Sequence, residues 1–352
     1  MRKLFPPEGQ GRRLLRRRRG GLQPHPDLIR LSPEDWRYLT TLHDDTVPLP
    51  PDADTELSPD HPRLRELRES YAELDLPVSS SSRWTRDAVE SFLDLRYFRG
   101  ETMITWHYRE LPRITALKYF LFVREVQQRD EQGLLAKLGE DGAFGCWTYS
   151  YPGYGRFSRD LLDSVNEVLF LERQLELSKR ERFTAVDIGA GYGRLAHRMV
   201  SAYPRIADYC CVDAIPESTF VSDYYLGFRG CKPRARVVPL TAVEAELQPG
   251  SFDLAINVHS FSECTYAAVE WWIDLLERLA VPRLFLVPNE PTDLLTLEPD
   301  GSRRDFAPLL ERAGYRLARR EPAIEDLAVR ELLRLHDHFH LFELEGAPSV
   351  GA

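Results

Sequence analysis

At 352 residues, with 43% hydrophobic and 29% charged content, the chain has the composition of a soluble globular protein and room for two domains or one large elaborated one. Its longest apolar runs fall far short of the ~20 residues that span a membrane. The formal charge of −9 is uneven: residues 1–20 carry a net +7, so the remainder carries −16. An acidic body argues against nucleic acid as the main partner.

The basic start, Arg16 to Arg19 included, runs into Gly20-Gly21-Leu22-Gln23-Pro24, where a secretory signal needs an apolar stretch. It reads as a solvated tail. Cys146, Cys210, Cys211, Cys231 and Cys264 are odd in number and contain no C-x-x-C pair. That usage points to a reducing, cytoplasmic setting, with neither a disulfide framework nor a zinc site.

In chain order, a short amphipathic piece starts at Pro33 behind Ser32. Pro48, Pro50, Pro51, Pro59 and Pro62 then give linker composition. Leu64 to Leu74 suits a short helix, and the serines from Ser79 to Ser82 interrupt again. From Trp84 to Arg182 the pattern is mainly helical. Ile114, Leu117 and Leu121 repeat at three and four, and Phe122 with Val126 extends the stripe. Residues 141–157, rich in glycine and aromatics, read as a structured loop, either a cover over the core or a wall of the site. Ser158 is an N-cap for the helix that carries Leu161, Leu162, Val165, Val168 and Leu169.

Strands and helices then alternate. Strands are expected at Phe183 to Ile188, Asp208 to Val212, Arg236 to Leu240, Phe252 to Val258, Arg283 to Val287, Tyr315 to Arg320 and His338 to Leu344. Helices are expected at Pro216 to Tyr225, Tyr266 to Leu279 and Phe306 to Ala313, the last stopped by Gly314. This predicts an α/β fold with a doubly wound, mostly parallel sheet and a helical N-terminal region. The divisions are a basic tail and Pro/Ser-rich linker with short helices (1–82), a helical region (83–180), the α/β domain (181–345) and a short tail (346–352).

The chemistry centres on residues 183–194, Phe-Thr-Ala-Val-Asp-Ile-Gly-Ala-Gly-Tyr-Gly-Arg. A buried strand runs into Gly189, Gly191 and Gly193, and a helix follows. Glycines let the turn tighten and let a ligand lie against bare backbone, facing the free N–H groups of the helix start. Asp213 ends the next strand, 20 residues after Gly193, where a carboxylate accepts hydrogen bonds from ribose hydroxyls. The dinucleotide fingerprint G-x-G-x-x-G puts its third glycine one residue later than Gly193. Asp187, two residues before Gly189, would also repel a pyrophosphate. A carboxylate there supports a cationic group or orders the turn. After the fourth strand, His259 and Glu263 are the strong candidate bases. They are expected to act singly or as a pair, with Glu263 orienting the imidazole.

Asp187-x-Gly189-x-Gly191-x-Gly193 resembles motif I of the class I S-adenosylmethionine-dependent methyltransferases. The set Gly-Ala-Gly-Tyr-Gly-Arg-Leu-Ala-His at 189–197, Asn-Val-His-Ser-Phe-Ser-Glu at 257–263, Trp271-Trp272 and Val287-Pro288-Asn289-Glu290 resembles the sugar O-methyltransferase family. Ser158-Arg159-Asp160-Leu161-Leu162-Asp163-Ser164 with Asn166-Glu167 is similar too. The resemblance covers roughly 84–344. It implies a Rossmann-like seven-stranded sheet with an antiparallel last strand. It also implies S-adenosylmethionine as cofactor, held by Asp187, Gly189, Ala190, Gly191, Gly193, Asp213 and Asn257. The acceptor would be a small-molecule sugar or glycoside hydroxyl. A non-sugar hydroxyl and a cofactor-binding scaffold are the alternatives, with an oxidoreductase third. Trp106-His107-Tyr108-Arg109 offers a sugar-stacking surface. His336-Asp337-His338-Phe339-His340 places three histidines on one strand face, yet no metal is expected, because the hard divalent ions prefer oxygen ligands.

Overall fold

The computed structural model describes residues 47–79, 82–100, 113–151 and 155–346. The piece expected at Pro33 and the surface from Trp106 to Arg109 lie outside them.

A hairpin of β1 (Tyr149–Tyr151) and β2 (Gly155–Phe157) precedes the main sheet. That sheet comprises β3 (Phe183–Ile188), β4 (Ile206–Val212), β5 (Ala235–Val237), β6 (Leu254–Val258), β7 (Arg283–Val287), β8 (Tyr315–Pro322) and β9 (His338–Leu344). Its order is β5-β4-β3-β6-β7-β9-β8. Strands β3 to β7 pair in parallel, and β9 runs antiparallel to both β7 and β8. This is the doubly wound, Rossmann-like arrangement of the class I methyltransferases. The order reverses at β3, between β4 and β6, so the ligand crevice of such a sheet lies at the carboxyl ends of these strands.

The helices are α1 (Ala53–Glu56), α2 (Pro62–Ala72), α3 (Arg86–Phe92), α4 (Arg113–Arg129), α5 (Leu134–Leu138), α6 (Arg159–Leu175), α7 (Arg194–Ala202), α8 (Pro216–Phe228), α9 (Val243–Glu246), α10 (Tyr266–Arg278), α11 (Ala307–Arg312) and α12 (Leu327–Leu333). None of the described helices is long and apolar enough to cross a membrane.

Alternate residues of each strand serve opposite faces of the sheet. Ala185, Tyr209, Cys211, Ile256 and Phe285 pack with residues of α4, α6 and α7. Val186, Cys210, Ala255, Leu284 and Leu286 pack with residues of α2, α8, α10 and α11. The adjacent Cys210 and Cys211 therefore fill two different cores, and all five cysteines are free thiols.

Three stretches differ from expectation. Residues 47–79 are packed structure, although their prolines read as linker. Pro62 opens α2, where its missing N–H is no loss. Leu57 and Leu64 are fully buried, and the Tyr71 hydroxyl accepts from Leu240 N at 2.7 Å. The loop expected at 141–157 contains a hairpin, and its Phe144 and Phe157 lie in the core. Helix α12 was not anticipated. It is short, and Asp326 caps it by accepting from Ala328 N and Val329 N.

The helical region is tied to the sheet by a buried ionic cluster. Arg99 Nη2 lies 2.8 Å from Glu140 Oε2 and 3.2 Å from Asp160 Oδ1. Arg198 Nη2 lies 2.9 Å and 3.1 Å from the same two atoms. Tyr192, in the glycine turn, donates its hydroxyl to Asp160 Oδ2. Burial acts to raise the Glu140 and Asp160 pKa values; the two arginines overcome it and hold both below the usual carboxylate range. Removing one partner strands buried charge, which costs about 3–5 kcal/mol. Asp160→Asn should therefore lower unfolding free energy by about that much in urea titrations. A loss below about 1 kcal/mol would mean that the cluster does not hold the two regions together.

Candidate active site

The carboxyl ends of β3, β4, β6 and β7 open into a cavity of about 1020 Å³. The glycine turn forms one wall, and residues from α4, α6 and the approach to β9 form the others.

All three glycines of the turn have left-handed backbone: φ is 72° at Gly189, 58° at Gly191 and 82° at Gly193. Their reasons differ beyond that. A Cβ on Gly189 would sit 2.2 Å from Ser260 Oγ, and one on Gly193 would sit 2.9 Å from Ser222 Oγ. A Cβ on Gly191 would meet nothing within 4 Å. The outer glycines are packing requirements, whereas Gly191 faces open space. Gly189 N and Ala190 N donate to Val212 O at 2.8 and 3.3 Å. Asp213 accepts from Gly191 N at 2.9 Å and from Ile215 N at 2.8 Å, so it clasps the turn. Burial pushes its carboxyl up to about 6 against these two bonds. Asp187 accepts from the Tyr209 hydroxyl at 2.8 Å, and burial pushes it up to about 7. Asp187, Gly189, Ala190, Gly191 and Asp213 all line the cavity.

Asn257 lies behind the turn instead. It is fully buried, donating to Ile188 O at 2.9 Å and Ser260 Oγ at 2.6 Å, and accepting from Phe261 N at 3.1 Å. It fixes where the turn sits and is not part of the cavity wall.

His259 and Glu263 both line the cavity but do not pair. His259 has φ of 67°, uncommon for a residue with a side chain, and its N–H donates to Val287 O at 2.7 Å. Glu263 is engaged elsewhere. Trp84 Nε1 donates to its Oε2 at 2.6 Å, and Arg83 Nε lies 3.3 Å from Oε1. The expectation that Glu263 orients the imidazole is therefore replaced. Its carboxylate anchors a segment far away in sequence, which no local pattern shows.

Asn289 and Glu290, beyond β7, line the cavity too, and Glu290 Oε1 pairs with Arg303 at 2.7 Å. His338 and His340 turn their Nδ1 atoms to the carbonyls of His336 and His338, at 2.9 and 3.1 Å. No group of three histidine, cysteine or acidic residues suited to a metal exists among the described residues.

Sequence reasoning missed one wall. Arg159, Asp163, Asn166 and Glu167 lie at helical spacing along α6 and all reach the cavity. Arg159 Nε donates to Asp163 at 3.2 Å, and Arg194 grips Glu167 with two bonds of 2.8 and 2.9 Å. Burial raises the pKa of Asp163 and Glu167 despite these arginines. The available signal was a polar stripe on a helix otherwise apolar enough to be buried all round.

Among the described residues that line the cavity, three buried atoms able to accept a hydrogen bond have no partner in the protein: Asn166 Oδ1, Glu290 Oε2 and, in the tautomer that leaves it unprotonated, His259 Nδ1. All three residues line this one cavity. Leaving such atoms unpaired costs about 1–3 kcal/mol each, so a molecule that displaces water from the cavity must supply donors to them.

No family model and no curated protein matches the chain. Solved structures resemble it in fold. A SAM dependent methyltransferase from Aquifex aeolicus is 15% identical over 63% of this chain and 97% of its own, with TM-score 0.38. The 4+2 cyclase SpnF is 14% identical over 53% of this chain and 83% of its own, with TM-score 0.39. Residues 961–1257 of StiE, an O-MT, are 13% identical over 51% of this chain and 74% of that one, with TM-score 0.37. These likenesses are distant, and the strand order carries the fold assignment.

The turn geometry separates two substitutions. Gly189→Ala should shift the turn and lower stability by more than the ~1–2 kcal/mol of left-handed strain alone, since Ser260 must move. Gly191→Ala should cost only the strain. Urea unfolding of both variants tests this, and equal losses would contradict it.

Proposed function

We propose that the chain is an S-adenosylmethionine-dependent O-methyltransferase that acts on a hydroxyl of a sugar or glycosylated small molecule. The carrying observation is the trio of unpartnered acceptors at Asn166, His259 and Glu290, set in one cavity with an open glycine turn. A polyhydroxylated acceptor supplies donors for all three.

The residues present fit the cofactor. Gly191 leaves clear space beside the turn, and Asp187 and Asp213 flank it with carboxylates suited to a cationic amino group and to ribose hydroxyls. S-adenosylmethionine, when bound, supplies an electrophilic methyl group on a sulfonium. The protein's part is alignment and proton removal. His259 offers a free Nδ1 on the cavity wall, so a neutral imidazole there takes the proton of the attacking hydroxyl. Asp163 and Glu167, each already held by an arginine, present fixed oxygens to further hydroxyls.

Calorimetry should show binding of S-adenosylmethionine and not of nicotinamide dinucleotides; the reverse result ends the proposal. A screen of nucleotide sugars, free sugars and glycosides should then yield a product heavier by one methyl. His259→Asn suits the base test, because asparagine tolerates the positive φ. Turnover should fall by roughly a hundredfold with cofactor affinity nearly unchanged, and undiminished turnover would remove His259 from the mechanism.

Cofactor affinity should also depend on pH. Asp187 and Asp213 have folded pKa values of about 7 and about 6, raised above the ordinary 3.8. Their contribution to stability is thus full below the ordinary value and lost as pH rises through the folded values. A bound cation favours the ionised form of Asp187, so affinity should strengthen as pH rises from about 5 to about 8. Asp187→Asn should flatten the upper part of that profile in titrations across the range, and an unaltered profile would place the cationic end elsewhere.

A further inference from the structure

Resting on the O-methyltransferase reading, we propose that the acceptor carries an anionic phosphate or carboxylate group, and that Lys118 and Arg334 hold it. The cavity wall carries six cations. Four have carboxylate partners in place: Arg83 with Glu263 at 3.3 Å, Arg159 with Asp163 at 3.2 Å, Arg194 with Glu167 at 2.8 Å and Arg303 with Glu290 at 2.7 Å. Lys118 and Arg334 have no ion-pair partner among the described residues. Of the other carboxylates that line the cavity, Asp160 is held in the ionic cluster, Asp187 by Tyr209 and Asp213 by the glycine turn, and Asp337 acts on Arg159 and Asp163.

Lys118 belongs to α4, and Arg334 closes α12, which packs against α4. Arg334 does so with φ of 57° and ψ of 36°, a conformation usually given to glycine or asparagine. Burial, and then the charge of Arg334, hold the Lys118 ammonium below its usual pKa. Two cations on one cavity wall, neither paired with a carboxylate among the described residues, repel each other, and an incoming anion removes that repulsion. The pair also differs in kind. A guanidinium bonds phosphate or carboxylate in a two-point fork, while an ammonium adds a mobile point charge. One end of the acceptor would thus be fixed by charge, while its hydroxyls meet Asn166, His259 and Glu290.

Calorimetry on the full chain, without S-adenosylmethionine, tests the site with inorganic pyrophosphate and with glucuronate. At least one should bind saturably at millimolar concentration or tighter. Lys118→Gln and Arg334→Gln should each weaken binding by roughly tenfold or more, and Lys118→Arg should retain it. Thermal melting of each variant confirms that it is folded. Binding of pyrophosphate alone identifies a phosphate ester, and binding of glucuronate alone identifies a carboxylate. Binding of neither overturns the inference. So does binding that survives both glutamine substitutions, as it would if the arginine-rich residues 1–20 took the anion. A protein that transfers methyl but takes up neither anion sinks this inference alone. One that takes up the anion but not S-adenosylmethionine sinks the methyltransferase reading instead.

Discussion

Two arginines and two carboxylates, buried together, tie the helical region around Arg99, Glu140 and α6 to the helix that follows the glycine turn. Arg99 and Glu140 come from the helical region, Asp160 from the first turn of α6 and Arg198 from α7. Their mutual attraction offsets a large desolvation cost only because the geometry is dense and the remaining oxygens are bonded. Ser158, which caps α6 through Leu161 N, also donates to Glu140 at 2.7 Å. Tyr192 joins the glycine turn to the same Asp160. One cluster thus sets the start of α6, the start of α7 and the turn between them and β3. The wall bearing Asp163 and Glu167 stands where it does because Asp160, on the same helix, is held there.

This explains why the cavity combines distant parts of the chain. Helix α6 is buried over most of its surface, so Asp160, Ser164, Asn166 and Glu167 must meet partners inside, while Arg159 and Asp163 stay partly open to solvent. Asp160 meets the ionic cluster; Asp163, Asn166 and Glu167 meet the cavity. Glu263 is held by Arg83 and Trp84, so the stretch just before α3 closes the side of the cavity nearest the end of β6. The α6 wall and the end of β6 are fixed by ion pairs and the glycine turn by backbone hydrogen bonds to Asp213 and Val212.

Much of the fold was legible. Phe183–Ile188, Arg283–Val287 and His338–Leu344 appear with the bounds read from the sequence, because apolar runs between turn residues leave buried strands little alternative. The glycine turn was legible as well, since Gly189, Gly191 and Gly193 share a backbone need that few other residues meet. What could not be read was pairing across long separations. Glu263 lies four residues after His259 and invites a dyad, yet its partners are 179 and 180 residues away. Asn257 belongs to the right segment but turns its amide into the backbone of Ile188. The hairpin and α12 are too short for a periodic signal, and the prolines at 48–62 mark the start of a helix as readily as a linker.

The clasp of Asp213 on the turn bears on how a ligand would bind. A carboxylate offers about four lone-pair positions. Two accept the N–H groups of Gly191 and Ile215 without any ligand. The carboxylate is thus oriented before any ligand arrives, and the turn need not open for it to face the cavity. Asp187 is likewise oriented beforehand by Tyr209. A site whose carboxylates are aimed by the fold loses little freedom when it is filled, so binding energy goes into alignment. The acceptor side follows another rule. Asn166, His259 and Glu290 each keep one atom without a protein partner, which water or a ligand hydroxyl can satisfy, so a ligand that displaces that water must replace its hydrogen bonds. Cofactor affinity would then come from preorganisation and acceptor choice from unmet hydrogen bonds, so substitutions on the two sides should affect different constants.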